Sequence, residues 1–475
     1  MSIEQYDLAI IGSGSGNSII TPYWDNKKVA IIDSGTFGGT CLNVGCIPTK
    51  MFAYPAQLAA TARDAERLGV DLSVDATNWP EIRDRIFNRI DAISEAGKHY
   101  RDVQLDHTTL ITEEVHFSGT KQLTTSSGRV LEADHIVVAA GSRPSLPDVP
   151  GLNLPGVHTS DTVMRLKALP KRIIIVGGKY IGSEFAAVFS GLGSEVIHIN
   201  RSGQLLSNHD NTISDEFTRV AKEAWQVALN RTLHSIERQD GRLRVNLSAT
   251  GHDHHEVVDY FIGDVVLLAT GRKPNSDRLN LSAAGIDVEN GFIVRDEYLR
   301  VLADGKPHDG VWAIGDIANP QMLKHVANHE QRIVSHNMEN PDHMKPDTLT
   351  TIPAGVFTRP QIASAGLTED EARRQYGDEA ITMKVQSYGD TAYGWAMEDI
   401  DGFVKIVAER ATGNILGAHI MGQEATNLIQ PLVTAMSFGI TAHELARGQY
   451  WIHPAMAEVV ENALLGLDVP NSEYS

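Results

Sequence analysis

Cysteine is almost missing from this chain: 475 residues carry two thiols, Cys41 and Cys46, both inside the stretch GGTCLNVGCIPTK. That scarcity excludes a disulfide-stapled scaffold, and one bridge closing so short a loop would stabilise little, because the entropic gain grows with loop length. Zinc needs about four ligands, and no His or Cys stands at finger spacing from the pair. The run HDHH, His252 to His255, is too polar and loop-like to make a site of its own, so no metal is expected. Also absent is any apolar run near the roughly 20 residues that cross a bilayer. The start, MSIEQYDLAIIGSG, lacks a basic n-region and runs straight into a glycine turn, which reads as a buried strand and not an export signal. Few cysteines and no export signal lead to the expectation of a reducing cytoplasm. Basic residues are in deficit too, 41 Lys and Arg against 60 Asp and Glu, a formal charge of -19. Such a surface repels nucleic acid and anionic membrane, so neither is an expected partner.

What remains is an ordinary globular composition, 42% hydrophobic and 21% charged, in a chain long enough for two to four domains. Two segments share one pattern of buried strand, glycine turn and helix. YDLAIIGSGSGN (Tyr6 to Asn17) leads to a short helix and the strand KVAIID; KRIIIVGGKYIGSE (Lys171 to Glu184) leads to a helix and EVIHINRS. Short all-apolar strands alternating with helices predict an α/β fold with parallel sheets, hence two Rossmann-like nucleotide-binding domains. Between them WPEIRDRIFNRIDAISEAGKHYRD has Ile82, Ile86, Ile90 and Ile93 at helical spacing. The Pro/Gly-rich SRPSLPDVPG sets a first boundary near Pro147, GDVVLLATGRKPN ends the second domain near Asn275, and VWAIGD reads as a return to the first sheet. The expected organisation is 1–147, 148–275, 276–346 as the return segment, and an α+β domain over 347–475 with a hairpin around Thr412 to Asn414.

Gly12, Gly14 and Gly16 follow the first strand, and Asp33 ends the next. Glycines admit a pyrophosphate to the backbone, a helix N-terminus offers N–H groups and positive dipole, and the acid can bind ribose hydroxyls. Asn17 stands where the last glycine of the consensus belongs. In the second loop Gly177 and Gly182 hold the outer positions, but Lys179 replaces the middle glycine. Asn200 and Arg201 end the following strand, where an acid would favour NAD; the missing acid and the arginine favour the 2′-phosphate of NADP. With metal and structural bridge set aside, Cys41 and Cys46 read as a redox pair beside whatever the first loop binds.

These residues resemble the flavoprotein pyridine nucleotide–disulfide oxidoreductases over essentially the whole chain. The redox stretch, AAGSRP (Ala139 to Pro144), ATGRKPN (Ala269 to Asn275), AIGD (Ala313 to Asp316) and HPAMAE (His453 to Glu458) fall in that family's order. The resemblance implies domains for FAD and NADPH, a central segment and a C-terminal dimerisation domain. It implies that Gly12, Gly14, Gly16, Asp33, Gly39, Thr40, Gly141, Gly315, Asp316, Leu323 and His325 hold FAD, with Lys50 at the flavin paired with Glu184. Gly177, Lys179, Tyr180, Gly182, Asn200, Arg201 and Gly271 would hold NADPH, Tyr180 acting as a gate. Cys41 would attack substrate and Cys46 would face the flavin. His453, oriented by Glu458 and contributed by the other subunit of a homodimer, would be the acid–base. The proline of HPAMAE would begin a helix and place the glutamate about a turn later. Relatives that need further thiols near the C-terminus are excluded, which leaves a small-molecule disulfide as substrate. The compressed first loop and MLKHVANHEQRIV are most similar to the branch that reduces the disulfide of mycothiol. Two other readings stay open: oxidation of dihydrolipoamide with NAD, and a nucleotide-binding redox sensor that turns over poorly because Lys179 obstructs its loop.

Overall fold

The computed structural model describes residues 3–251, 256–349 and 351–471, so the histidine-rich run at 252–255 lies outside the described residues. The chain divides into two compact units.

The first unit comprises Met1–Thr49, Glu81–Ser145 and Gly271–Thr348. Its sheet is built on the all-buried strand ends of Ile3–Ile11 and Val29–Ile32, whose β-branched and aliphatic side chains suit a sheet covered on both faces. Ile3–Ile11 lies parallel between Val29–Ile32 and Val130–Val138, with Ile10 opposite both Ile31 and Val137. Thr108–Ile111 extends the sheet beyond Val29–Ile32. Lys306–Ala313 joins parallel to Val130–Val138, the expected return of VWAIGD to the first sheet. Helix Trp79–His99 forms over the amphipathic segment, and Ile86 and Ile90 are fully buried. Ile93 was expected on the same face but is 51% exposed. The step from 90 to 93 turns it away from the buried stripe.

The second unit comprises Lys50–Pro80, Leu146–Thr270 and Leu349–Ser475. It contains an all-parallel sheet in the order Gln226–Ala228, Glu195–Ile199, Arg172–Val176, Val265–Leu268, Val157–Thr159. A second, antiparallel sheet is made by Ala354–Val356, Gln361–Gly366, Ile415–Gly422, Phe403–Glu409 and Ile381–Ser387. The hairpin expected around Thr412 to Asn414 joins two of these strands. Inside this unit Trp79 stacks between Phe52 and Phe189, centroids 4.9 and 5.6 Å away, and its Nε1 donates to the Leu166 carbonyl at 2.7 Å.

One buried charge cluster ties the antiparallel sheet to the nucleotide-type sheet. Lys405, 2% exposed, donates to Asp210 Oδ1 at 2.8 Å, lies 2.7 Å from Glu369 Oε2 and donates to Thr212 Oγ1 at 3.0 Å. Asp210 also caps helix Asn211–Ala224 by accepting from the Thr212 N–H. Burial pushes the Asp210 carboxyl up, but the Glu369 N–H and the Lys405 ammonium outweigh it and hold the group below its ordinary value. Glu369 is likewise held low against burial, by Lys405 and Arg373. Replacing Lys405 with Met strands Asp210 without its cation. The expected cost is about 3–5 kcal/mol in denaturant unfolding at neutral pH. Carboxylates with lowered native pKa stabilise above their unfolded pKa and lose that contribution as pH falls. The deficit of Lys405→Met should therefore shrink in acid.

Candidate active site

The first glycine loop is shaped by backbone contacts that exclude side chains. Gly12 has φ +109°, and an added Cβ would sit 2.3 Å from the Ala139 carbonyl oxygen. Gly177 repeats the arrangement in the second loop, φ +121° and 2.2 Å from the Ala269 oxygen. The two loops differ in what they open. Gly177 and Gly178 lead into the 13-residue helix Tyr180–Leu192, with Lys179 exposed at its N-cap. The first loop opens only a five-residue 3-10 turn, Ser15–Ile19. The helix dipole expected there is thus a stub. This also explains Asn17: with no long helix to pack, close approach falls to Gly16, whose Cβ would meet Ala139 and Ile10 side chains at 2.8 Å. Asn17 instead holds Arg101, which donates to its Oδ1 at 2.8 Å and its carbonyl at 3.0 Å.

Asp33 closes this loop on itself. Its carboxylate accepts from the Ser13 N–H at 2.8 Å, from Ser13 Oγ at 2.5 Å and from the Gly35 N–H at 2.8 Å. Ser13 Oγ in turn accepts from the Gly38 N–H at 2.9 Å. Directly beyond, Gly39 begins helix Gly39–Asn43, and a Cβ on Gly39 would lie 2.7 Å from Gly14 Cα. The helix carrying Thr40 and Cys41 is therefore seated on the dinucleotide loop.

Cys46 opens the next helix, Cys46–Asp64. Gly45 lets the chain double back: a Cβ there would be 2.9 Å from the Thr40 oxygen and 3.2 Å from Cys41 Cα. Thr49 fastens the turn, its N–H and hydroxyl both donating to the Gly45 carbonyl at 3.1 and 2.7 Å. The two thiols are not bridged and lie within hydrogen-bond reach of each other. The hydrogen bond to Cys46, burial and the charge of Cys46 push the Cys41 thiol far up, with the Lys324 ammonium pulling the other way. Cys41 therefore holds its proton at neutral pH unless a base removes it.

On the other side of the same unit, Ser142 Oγ donates to Asp316 Oδ2 at 2.6 Å and accepts from Arg272 Nε at 2.8 Å. The AAGSRP and ATGRKPN motifs meet here as the antiparallel pair Ser142–Pro144 and Arg272–Pro274. Gly141, φ +65°, accepts at its carbonyl from the Asn275 N–H. Gly271, expected with the nicotinamide nucleotide, belongs to this unit, where its carbonyl accepts from the Ser145 N–H. Gly315 is held by a residue the sequence reading overlooked. Glu330, fully buried, accepts from the Gly315 N–H at 2.6 Å, from Arg295 at 2.5 Å and from Asn319 at 2.7 Å. Its signal was there to see: Val326, Ala327, Ile333 and Val334 make a buried stripe in helix Lys324–Glu339, and Glu330 is the carboxylate inside it. Leu323 caps that helix and His325 is exposed in its first turn.

A cradle with no Cβ at Gly12, Gly14 and Gly16, with Asp33 and Asp316 just beyond strands Val29–Ile32 and Lys306–Ala313 of one sheet, fits a dinucleotide bound to this unit.

In the second unit Lys50 donates to both oxygens of Glu184, at 2.6 and 2.7 Å, and Glu184 Oε1 also accepts from the Phe357 N–H at 2.9 Å. Glu184 is buried, while Lys50 is a third exposed and lies over the Phe357 ring at 4.6 Å. Tyr180 is half-exposed at the head of its helix. Gly182 packs so closely that a Cβ would meet the Gly177 oxygen at 1.8 Å. Asn200 is buried and spends its amide on the backbone, accepting from the Gly178 N–H and donating to the Gln204 carbonyl. Arg201 beside it is exposed, with no ion pair among the described residues.

His453 is 72% exposed, and its Nδ1 lies 2.6 Å from Glu458 Oε1. That bond holds the Glu458 carboxyl below its ordinary value. Pro454 does not begin the helix as expected. The helix runs Glu458–Leu465, and His453 reaches back to its first residue across an irregular turn, with Ala455 N–H donating to Glu458 Oε2. Phe438, Tyr450 and Ile452, in the same unit as His453, are 80%, 104% and 77% exposed.

The tight turn at Gly45 yields a prediction. Gly45→Ala overpacks Thr40 and Cys41 by about 1–3 kcal/mol. Disulfide turnover should fall roughly 10- to 100-fold, while flavin content and reduction of an artificial acceptor that bypasses the thiols stay as in the parent protein.

Comparison with known proteins agrees with this geometry. Residues 6–332 match the pyridine nucleotide-disulphide oxidoreductase family, and residues 352–464 match its dimerisation domain. Mycothione reductase of Mycobacterium tuberculosis is 49% identical over 98% of this chain and all of that protein. Glutathione reductase of a Nostoc species is 31% identical over 95% of this chain and 98% of its own length. Dihydrolipoyl dehydrogenase of Chlamydia trachomatis is 31% identical over 98% of both. Among solved structures, the HOCl-induced flavoprotein disulfide reductase RclA of Escherichia coli aligns with a TM-score of 0.83 at 25% identity, covering 97% of this chain and all of that one. The match over nearly the whole chain makes this protein a member of the pyridine nucleotide–disulfide oxidoreductases, a flavoprotein disulfide reductase with FAD and NADPH as cofactors.

Proposed function

We propose that the chain reduces mycothiol disulfide to mycothiol at the expense of NADPH, as a homodimer in the cytoplasm. The observation that carries the substrate is the 49% identity, end to end, to a mycothione reductase, against 31% to glutathione reductase and dihydrolipoyl dehydrogenase. The absence of any cysteine beyond Cys41 and Cys46 supports a small disulfide over substrates that need a relay of further thiols. The exposed apolar side chains at 438, 450 and 452 suit burial against a second copy of the dimerisation domain.

Held at the loop of Gly12, Gly14 and Gly16, FAD would supply the two-electron chemistry that couples NADPH oxidation to reduction of the Cys41–Cys46 disulfide. The remaining work belongs to the chain. Glu184 fixes the Lys50 ammonium, holding a positive charge in place for the cofactor. Cys41, whose proton is firmly held, gives it to His453 of the partner subunit and attacks one sulfur of the substrate. The first mycothiol leaves with the proton returned by that imidazole. Cys46 then attacks Cys41, releases the second mycothiol and closes the disulfide again. The sum is one disulfide, one NADPH and one proton converted to two thiols and NADP⁺. Glu458, bound to Nδ1, keeps Nε2 as the working nitrogen. Lys179 is exposed at the N-cap of helix Tyr180–Leu192, where its ammonium can meet a phosphate and not block it, which favours turnover over a sensing role.

NADPH oxidation by the purified protein against mycothiol disulfide, glutathione disulfide and lipoamide tests the reading. Mycothiol disulfide should be the preferred substrate; equal or better use of lipoamide with NADH would overturn it. His453→Gln should lower disulfide turnover by roughly 10²- to 10⁴-fold while the flavin is still reduced by NADPH. Arg201→Ala should raise KM for NADPH roughly tenfold, the worth of one charge-assisted phosphate contact, and leave that for NADH unchanged.

A further inference from the structure

The first glycine loop opens only a short helical turn, which gives it little positive charge, and a lysine from elsewhere in the same unit reaches it. A macrodipole needs several aligned turns, and Ser15–Ile19 offers one short 3-10 turn with no side-chain cap. Into that loop comes Lys324, the first residue of the 16-residue helix Lys324–Glu339. Its Nζ donates to Ser15 Oγ at 2.7 Å. Ser15 is otherwise near only Asn328 Oδ1, at 3.4 Å, among its described side-chain contacts.

The chain's own charges do not favour a lysine at this position. A cation in the first turn of a helix opposes the dipole, and Lys324 has no ion pair among the described residues to offset that. The nearest acid of the loop, Asp33, is already satisfied by Ser13 and Gly35. An uncompensated ammonium, a helix N-terminus and a Cβ-free backbone converging on one serine together call for an anion. The cofactor of this family brings one to such a loop. We propose that Lys324 binds the diphosphate of FAD beside Ser15 and supplies the charge that the short first turn does not. Lys324 is then a cofactor-binding residue, lying between Leu323 and His325, the two neighbours for which the family resemblance implied that role.

The test compares Lys324→Met and Lys324→Arg with the parent protein, using full-length chains stripped of flavin. FAD is titrated back by flavin fluorescence at low and high salt. The Met variant should bind FAD roughly 10- to 100-fold more weakly, the worth of a hydrogen bond between charged groups. Its affinity should depend less on salt, and Arg should restore most of the loss. Thermal melts separate this from a structural role: flavin-free Lys324→Met should melt no lower than the flavin-free parent, since the substitution removes an unfavourable charge, and only the flavin-loaded form should lose stability. FAD affinity within twofold of the parent would overturn the proposal. So would an equal loss of stability with and without flavin, or a defect confined to Cys41 reactivity, which would assign the ammonium to the thiol instead.

Discussion

The contact on which the redox chemistry depends is one between two glycines. Gly39 lies so close over Gly14 that it could not carry a side chain, an added Cβ on Gly39 falling 2.7 Å from Gly14 Cα. Because the thiol follows two residues later, this contact seats Cys41 on the first glycine loop. Gly45 then folds the chain back against Thr40 and Cys41, and Cys46 begins the next helix at once. Two close backbone approaches thus decide where both sulfurs stand. The buried amide of Asn43 locks the segment between them, donating to the carbonyls of Phe37 and Gly39 at 2.9 and 3.0 Å.

Electrostatics complete what the backbone starts, and two side-chain pairs of the second unit, Lys50–Glu184 and His453–Glu458, show two uses of a carboxylate. Glu184 is buried and accepts three hydrogen bonds, two of them from Lys50, so the Lys50 ammonium has one place to be. Glu458 instead steadies an imidazole that is mostly in solvent. A buried pair suits a fixed field, whereas an exposed, oriented base suits proton traffic with a group outside its own unit. Glu330 plays the first part again in the first unit, anchoring Gly315 beside Asp316 from inside a helix.

Much of this was legible in the sequence, for definite reasons. The all-apolar strands, the Cβ-free loops and the cysteine pair are local patterns with steric causes, and the structure brings Gly12, Gly14, Gly39, Thr40 and both thiols together. Two features were not legible. Pro454 looked like a helix start, yet the capping geometry places the start at Glu458. Asn200 and Glu330 were misjudged or missed because their partners, the Gly178 N–H and the Gly315 N–H, are 22 and 15 residues away in sequence. Long-range polar pairing leaves no periodicity to read.

The central claim is that Cys41 and Cys46 store an electron pair next to the flavin. Anaerobic titration of the holoprotein with NADPH tests it directly, with Cys46→Ser alongside. The account predicts that the parent takes up one more electron pair per flavin than the variant and develops a long-wavelength thiolate–flavin absorption that the variant lacks. Equal uptake by the two proteins, with no such band in either, would contradict it.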